Sequence, residues 1–340
     1  MNRLASVAAL FVASIVVPGC NRGKDAASKP VAQPSFAFIT NGVADFWEHA
    51  RAGANAAADE LHVHVDVITP SSITDQTRKI EDLLTRGTDG IAISPIDPEN
   101  QVEAINKAAA QTNLITHDSD APQSNRLMYI GMDNYHAGLM CGKTLRDAMP
   151  DGGKIVIFIG RLDQDNSKRR CQGVVDGFLG IEPDPKHNNP LSQELVSTDK
   201  KYTILGTMTD LFNFPKAKAN VEDAVTRYPD INGMVGLFEY NPPLIIEALE
   251  RVGKIGKVKI MGFDENSRTL EGIKNGTVVA TVVQNPYQYG YQSLKVLNAL
   301  HKGDKSIIPE SKFIDIPARV IDKSNVDAFQ KEISGRLGKK

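Results

Sequence analysis

VKIMGFDENSRTLEGIKNGTVVATVVQNPYQYG, residues 258–290, alternates two kinds of periodicity within one short segment. The apolar run 258–263 stops abruptly at a carboxylate, Asp264. Leu270 and Ile273 then fall on one helical face, and Asn275-Gly276 supplies a helix stop. A second apolar run, 278–283, delivers Gln284 and Asn285 just ahead of Pro286. Strand, helix and strand in this order make a unit of parallel sheet. Ligands of open α/β sheets sit beyond the carboxyl ends of the strands, so Asp264 and Gln284 stand where a polar ligand would be held. A carboxylate that only caps the following helix is the competing reading of Asp264.

The same alternation runs through most of the chain. Strands are expected at 35–40, 63–68, 90–94, 114–116 and 128–130, with helices at 46–61, 73–86 and 99–110; Gly87 closes the second helix. The pattern then restarts with helix 135–148, strand 154–159, helix 167–179, strand 195–197, helix 216–228, strand 234–238 and helix 242–252. Strands alternating with helices predict parallel sheets covered on both faces. So many units predict an α/β protein of two doubly wound lobes, with a polar cleft between them as the ligand site.

A chain of 340 residues is long enough for two such units. With 41% hydrophobic and 24% charged residues and a net charge of −2, nothing in the balance favours a nucleic-acid partner. Arg3, the apolar run 4–17 and Pro18-Gly19-Cys20 read as a secretory signal over 1–20. That run falls short of the roughly 20 apolar residues of a membrane span. Residues 21–34, NRGKDAASKPVAQP, lack hydrophobic periodicity and read as a flexible tether. The last residues, RLGKK, read as a solvated tail.

Cys20 directly after Gly19 resembles the bacterial lipoprotein signal, which implies cleavage before Cys20 and a lipid on it. From 36 to 321 the chain resembles the periplasmic sugar-binding proteins of the ribose-binding type, the ligand receptors of ABC importers. The signposts are Asp45-Phe46-Trp47, LLTRGTDGIAISPID at 83–97, ITHDSDAP at 115–122, NSKRRCQG at 166–173, GFDEN at 262–266 and ATVVQNP at 280–286. The resemblance implies the periplasmic binding protein-like fold, type I: two lobes joined by three crossing segments, near Asp133, Gln284 and Ile316. The N-terminal lobe would be 35–132 plus 285–315, and the C-terminal lobe 133–284 plus 316–330. It also implies a non-enzymatic, cofactor-free monomer, exported to the periplasm, that presents its ligand to a membrane permease.

A sugar offers hydroxyls that both donate and accept, plus apolar C–H faces. Carboxylates, guanidinium and amides satisfy the first, at about 1.5–3 kcal/mol for each bond to a charged partner; flat aromatics cover the second. Phe46 and Trp47, the only Trp, supply aromatic surface at the start of the first helix. By resemblance, Asp118 is the carboxylate at its strand end, and Asp120 adds a second. Ser119 stands where the family's ribose receptor carries Arg, a departure that argues against ribose itself. Arg170 matches the family's sugar-binding Arg, with Lys168 and Arg169 beside it leaving the register open. A stacking Phe is implied at 212 or 214, flanking Asn213. In LFEYNPP, 237–243, the family's ligand-binding Asn matches Asn241, with Glu239 and Tyr240 as neighbours in contention and a helix cap as the plain alternative for Asn241. The expected ligand site is therefore Phe46, Trp47, Asp118, Asp120, Arg170, Asn213, Asn241, Asp264 and Gln284. DSD at 118–120 is also similar to receptors for rhamnose and for furanose-like signals such as autoinducer-2.

Other constellations carry less. His62 and His64 share one face of a strand, but no third or fourth metal ligand lies near them. His117, Asp118 and Ser119 are adjacent and cannot converge as a triad on extended chain, and neither a nucleophile elbow nor a phosphate loop is present. Cys141 and Cys171 are either a disulfide or two small buried side chains. The rival function is an exported enzyme using Asp118, Asp120 or Asp264 as acid or base. A repressor of related fold would need a DNA-binding segment where the signal and tether lie.

Overall fold

A computed structural model describes residues 33–336. The leader with Cys20, tether residues 21–32 and the end of the tail lie outside the described residues. The first lobe opens with β1 (Ser35–Ile39), α1 (Phe46–Leu61), β2 (His64–Ile68), α2 (Ile73–Arg86), β3 (Gly90–Ile93), α3 (Val102–Ala109), β4 (Asn113–His117) and β5 (Tyr129–Gly131). The second lobe follows with α4 (Asn134–Asp147), β6 (Gly153–Ile159), α5 (Asp165–Leu179), β7 (Leu195–Val196), β8 (Tyr202–Thr209) and α6 (Phe214–Arg227). It continues through β9 (Gly233–Gly236), α7 (Asn241–Arg251), β10 (Lys259–Phe263), α8 (Ser267–Asn275) and β11 (Ala280–Val283). The chain then returns to the first lobe for α9 (Pro286–His301) and β12 (Phe313–Asp315), and ends on the second with β13 (Arg319–Asp322) and α10 (Val326–Arg336).

One sheet has the order β12-β5-β4-β3-β1-β2 and the other β13-β11-β10-β9-β6-β8-β7. All pairs in the first are parallel. In the second, only the edge strands β13 and β7 run antiparallel. Central strands such as GIAI of β3 are buried on both faces, which is why they read as continuous apolar runs. The chain passes between the sheets after β5, after β11 and after β12, so two lobes share three crossing segments.

Two helix pairs, α1 with α9 and α4 with α5, pack at backbone contact. A Cβ on Gly138 would stand 2.1 Å from the Arg170 carbonyl oxygen, and one on Gly173 would stand 2.1 Å from that of Tyr135. The corresponding approach in the first lobe puts Gly290 against the Ala50 carbonyl. Small residues at these positions let α5 lie directly against α4, and Arg170 is on that packed segment. Cys141 and Cys171 lie on this α4–α5 pair as free, buried thiols. Of the two alternatives, packing is the one realised.

Candidate ligand-binding cleft

The carboxyl ends of the strands from both sheets face one cavity of about 570 Å³. Six of the nine expected residues line it: Phe46, Trp47, Asp118, Arg170, Asp264 and Gln284. Asp118 follows β4 and Asp264 follows β10, and both hold positive φ, 56° and 64°. Non-glycine residues adopt that backbone sparingly, and where they do it often marks a functional site. Here the turn swings each carboxyl off its strand end into the cleft.

Asp118 is 4% exposed and accepts from Ser94 Oγ at 2.9 Å and Asn41 Nδ2 at 3.2 Å. Asn166 Nδ2, from the other lobe, stands 3.5 Å from the same oxygen. Asp264 accepts from Gln284 Nε2 at 2.8 Å, and the Tyr289 hydroxyl donates to Gln284 Oε1 at 3.0 Å. One crossing segment is thereby tied to the end of β10. Asp264 also anchors its own turn, since Thr281 Oγ1 donates to its carbonyl oxygen at 2.8 Å. It does not cap the next helix; Asn266 does, accepting from Arg268 N at 2.9 Å.

Arg170 is 1% exposed and sits between the two carboxylates without an ion pair to either among the described residues. Its Nε donates to Asn134 Oδ1 at 2.9 Å and its Nη1 to the Leu237 carbonyl at 3.0 Å, while Nη2 has no partner among the described residues. The guanidinium stacks 4.9 Å from the Phe263 ring centroid. Burial pushes the Asp118 carboxyl up and Asp264 up to about 7, with the Arg170 charge opposing burial at both. Glu239, also on the wall, is raised by burial and accepts from Asn266 Nδ2.

The aromatic side of the cleft comes from both lobes. Phe46 and Trp47 meet edge to face with centroids 4.8 Å apart. Opposite them, Phe212 stacks on Phe238 at 5.6 Å, and Phe212, Phe214, Phe238 and Tyr240 all line the cavity.

Three expected site residues do not line the cavity. Asp120 is not on the cavity wall: it accepts from Thr116 Oγ1 at 2.6 Å and is ion-paired with Arg126, which pins its turn. Asn213 is the N-cap of α6, accepting from Lys216 N at 2.9 Å, a role its place before Phe214-Pro215 explains. Asn241 is 1% exposed and holds a neighbouring loop, accepting from Phe238 N at 3.0 Å and donating to Asp210 Oδ2 at 3.1 Å. Asn41, Ser94, Gln164 and Asn166 were not anticipated. Asn41 and Ser94 carry the same signal as Asp118, a polar side chain just past a buried strand; Gln164 and Asn166 have no such cue.

His117 does not work with Asp118. It is stacked on Phe38 at 3.9 Å in the core, and burial pushes it down to about 3, so it is neutral. His64 bonds to Asp66 at 3.1 Å on the exposed surface, and no group of metal-ligating side chains is assembled among the described residues. No described helix is long and apolar enough to cross a membrane.

Residues 36–305 match the periplasmic binding protein domain, and the chain belongs to that family. It is 23% identical over 309 residues to the ribose import binding protein of Salmonella typhimurium, covering 90% of this chain and 94% of that one. A solute-binding protein of an ABC transporter from Burkholderia graminis, solved in complex with D-arabinose, is similar at 27% identity and a TM-score of 0.77, over 87% of this chain and 98% of that one. A glucose-galactose binding protein from Geobacillus stearothermophilus is 25% identical with a TM-score of 0.76, over 86% and 98% of the two chains.

Proposed function

We propose that this protein is an extracytoplasmic receptor that closes on a small neutral sugar and hands it to an ABC importer without chemically changing it. The observation that carries this is the meeting of Asp118, Asp264 and Gln284, at strand ends, with Arg170 of α5 in one cleft lined by aromatic rings from each lobe. Carboxylates accept from hydroxyls, the spare Arg170 Nη2 donates to one, and the rings cover C–H faces. The relatives named for ribose, arabinose, glucose and galactose support a monosaccharide or a related polyol. The signal-like leader supports export with a lipid on Cys20, and the family supports a permease partner for a monomeric receptor.

Calorimetry against D-ribose, D-arabinose, D-allose, D-glucose, D-galactose and D-tagatose tests this, with the sugar recovered afterwards. One or more should bind with the recovered sugar unaltered. Absence of binding across the panel, or turnover of the sugar, overturns the proposal. Mass spectrometry of the mature N-terminus checks the lipid on Cys20.

A further inference from the structure

Gln164 occupies a position where two ordinary rules are broken together. It is the N-cap residue of α5, with φ −78° and ψ 139°, yet its side chain makes no capping bond. Ser, Thr, Asp or Asn is favoured there because a short oxygen-bearing side chain reaches the free N–H groups of the first turn. The Gln164 side chain instead runs to the cavity wall and is 0% exposed. Neither its amide nitrogen nor its amide oxygen has a hydrogen-bond partner among the described residues. A buried amide left unpaired loses its hydration without return. Its loop is held in place nonetheless, because Arg161 makes a two-pronged ion pair with Asp163 just before it. Asn166, two residues on, reaches towards Asp118 across the cleft.

We propose that Gln164 is a specificity-determining ligand contact, its amide N–H donating to one hydroxyl of a polyhydroxylated ring and its carbonyl accepting from the adjacent one. This rests on the sugar-receptor reading above. A neutral group that donates at one end and accepts at the other matches a pair of neighbouring hydroxyls and adds no charge to the site. A site built to bond a hydroxyl rejects the analogue that lacks it, since the amide then stays buried and unpaired.

The experiment uses the full-length protein, its Gln164→Ser variant, the panel above and the monodeoxy analogues of whichever sugar binds. Serine restores a cap to α5, so the variant should melt at the same or a higher temperature, yet bind the intact sugar at least tenfold more weakly. The analogue lacking the matched hydroxyl should bind both proteins alike, while analogues altered elsewhere keep the difference. Should the serine variant lose its melting transition, Gln164→Leu, close in size, replaces it with the same expected pattern. Equal affinity of parent and variant for the intact sugar overturns the proposal, and so does a uniform loss over every analogue, which marks a merely structural role. If the parent binds none of the sugars, the receptor reading fails first and the Gln164 proposal falls with it.

Discussion

Asp264 is the residue on which affinity should depend most. At φ 64° alanine is strained, so Asp264→Ala mixes a backbone penalty with the lost carboxylate. Asn tolerates that backbone and keeps the shape, so Asp264→Asn isolates the charge. Loss of one charge-assisted bond at about 1.5–3 kcal/mol predicts a roughly tenfold to hundredfold weaker Kd by calorimetry, with an unchanged circular dichroism spectrum. A parent-like Kd would remove Asp264 from the site. The pH dependence follows from the same group. Burial raises Asp264 to about 7, against 3.8 in an unfolded chain, so between those values the folded state holds the extra proton. Its contribution to stability therefore falls as pH rises through that window. Hydroxyl donors select the ionised carboxylate, so sugar affinity should weaken by up to about tenfold per pH unit as pH falls below 7. Titrations of the parent at pH 8, 7 and 6 against Asp264→Asn check this, the variant being expected to show the flatter profile. His117 acts in the opposite sense: held at about 3 against 6.5, it withdraws stability as pH falls below 6.5.

At the scale of elements, helices bounded by explicit chemistry were readable and some strands were not. The helix at 73–86 has Ser72 accepting from Asp75 N at one end and Gly87 at φ 72° at the other, both visible as letters. The eight-residue strand β8, YTILGTMT, escaped because Gly206 and four Thr or Tyr residues break its apolar run; its alternating burial follows from its place next to the antiparallel edge strand β7. α6 starts at Phe214, two residues before the expected 216, so Asn213 is its cap. The cleft was legible where a lone polar residue ends an apolar strand, as at Asp118, Asp264 and Gln284. It was illegible at Gln164 and Asn166, at the start of α5, whose meaning comes from missing partners or from a partner far along the chain. Helix packing makes a further prediction. Gly138→Ala would press a methyl against the Arg170 carbonyl, so α4 and α5 must separate. Urea denaturation should show a loss of about 1–3 kcal/mol, and sugar affinity should fall as well, because α5 carries Arg170. A variant that loses stability at unchanged affinity would mean that Arg170 is placed independently of that contact.

At the scale of the whole molecule, few direct contacts hold the two lobes against each other across the cleft. Lys168 Nζ of the second lobe lies 2.7 Å from Glu99 Oε1 of the first, and the Asn166–Asp118 approach is 3.5 Å. His49 and Glu265 face each other across the same gap at 4.0 Å. The Lys168–Glu99 pair is largely solvated, and such a pair contributes about 0–1 kcal/mol. That pair alone does little to fix one arrangement of the lobes that the crossing segments join. Arg170 Nη2 and the Gln164 amide, by contrast, have no partner among the described residues, and a ligand with several hydroxyls lying between the walls would supply them. Ligand should therefore shift the population towards the closed form. Small-angle scattering should give a smaller radius of gyration at saturating sugar than without it. Trp47, buried against Phe46 beside the cavity, should report the same step as a change in fluorescence. Lys168→Ala should leave both signals in place and alter affinity by less than about tenfold, as expected of a rim pair. A radius that stays constant on saturation would mean that the cleft is already rigid, and the sugar would then have to enter by a route other than the opening of the lobes.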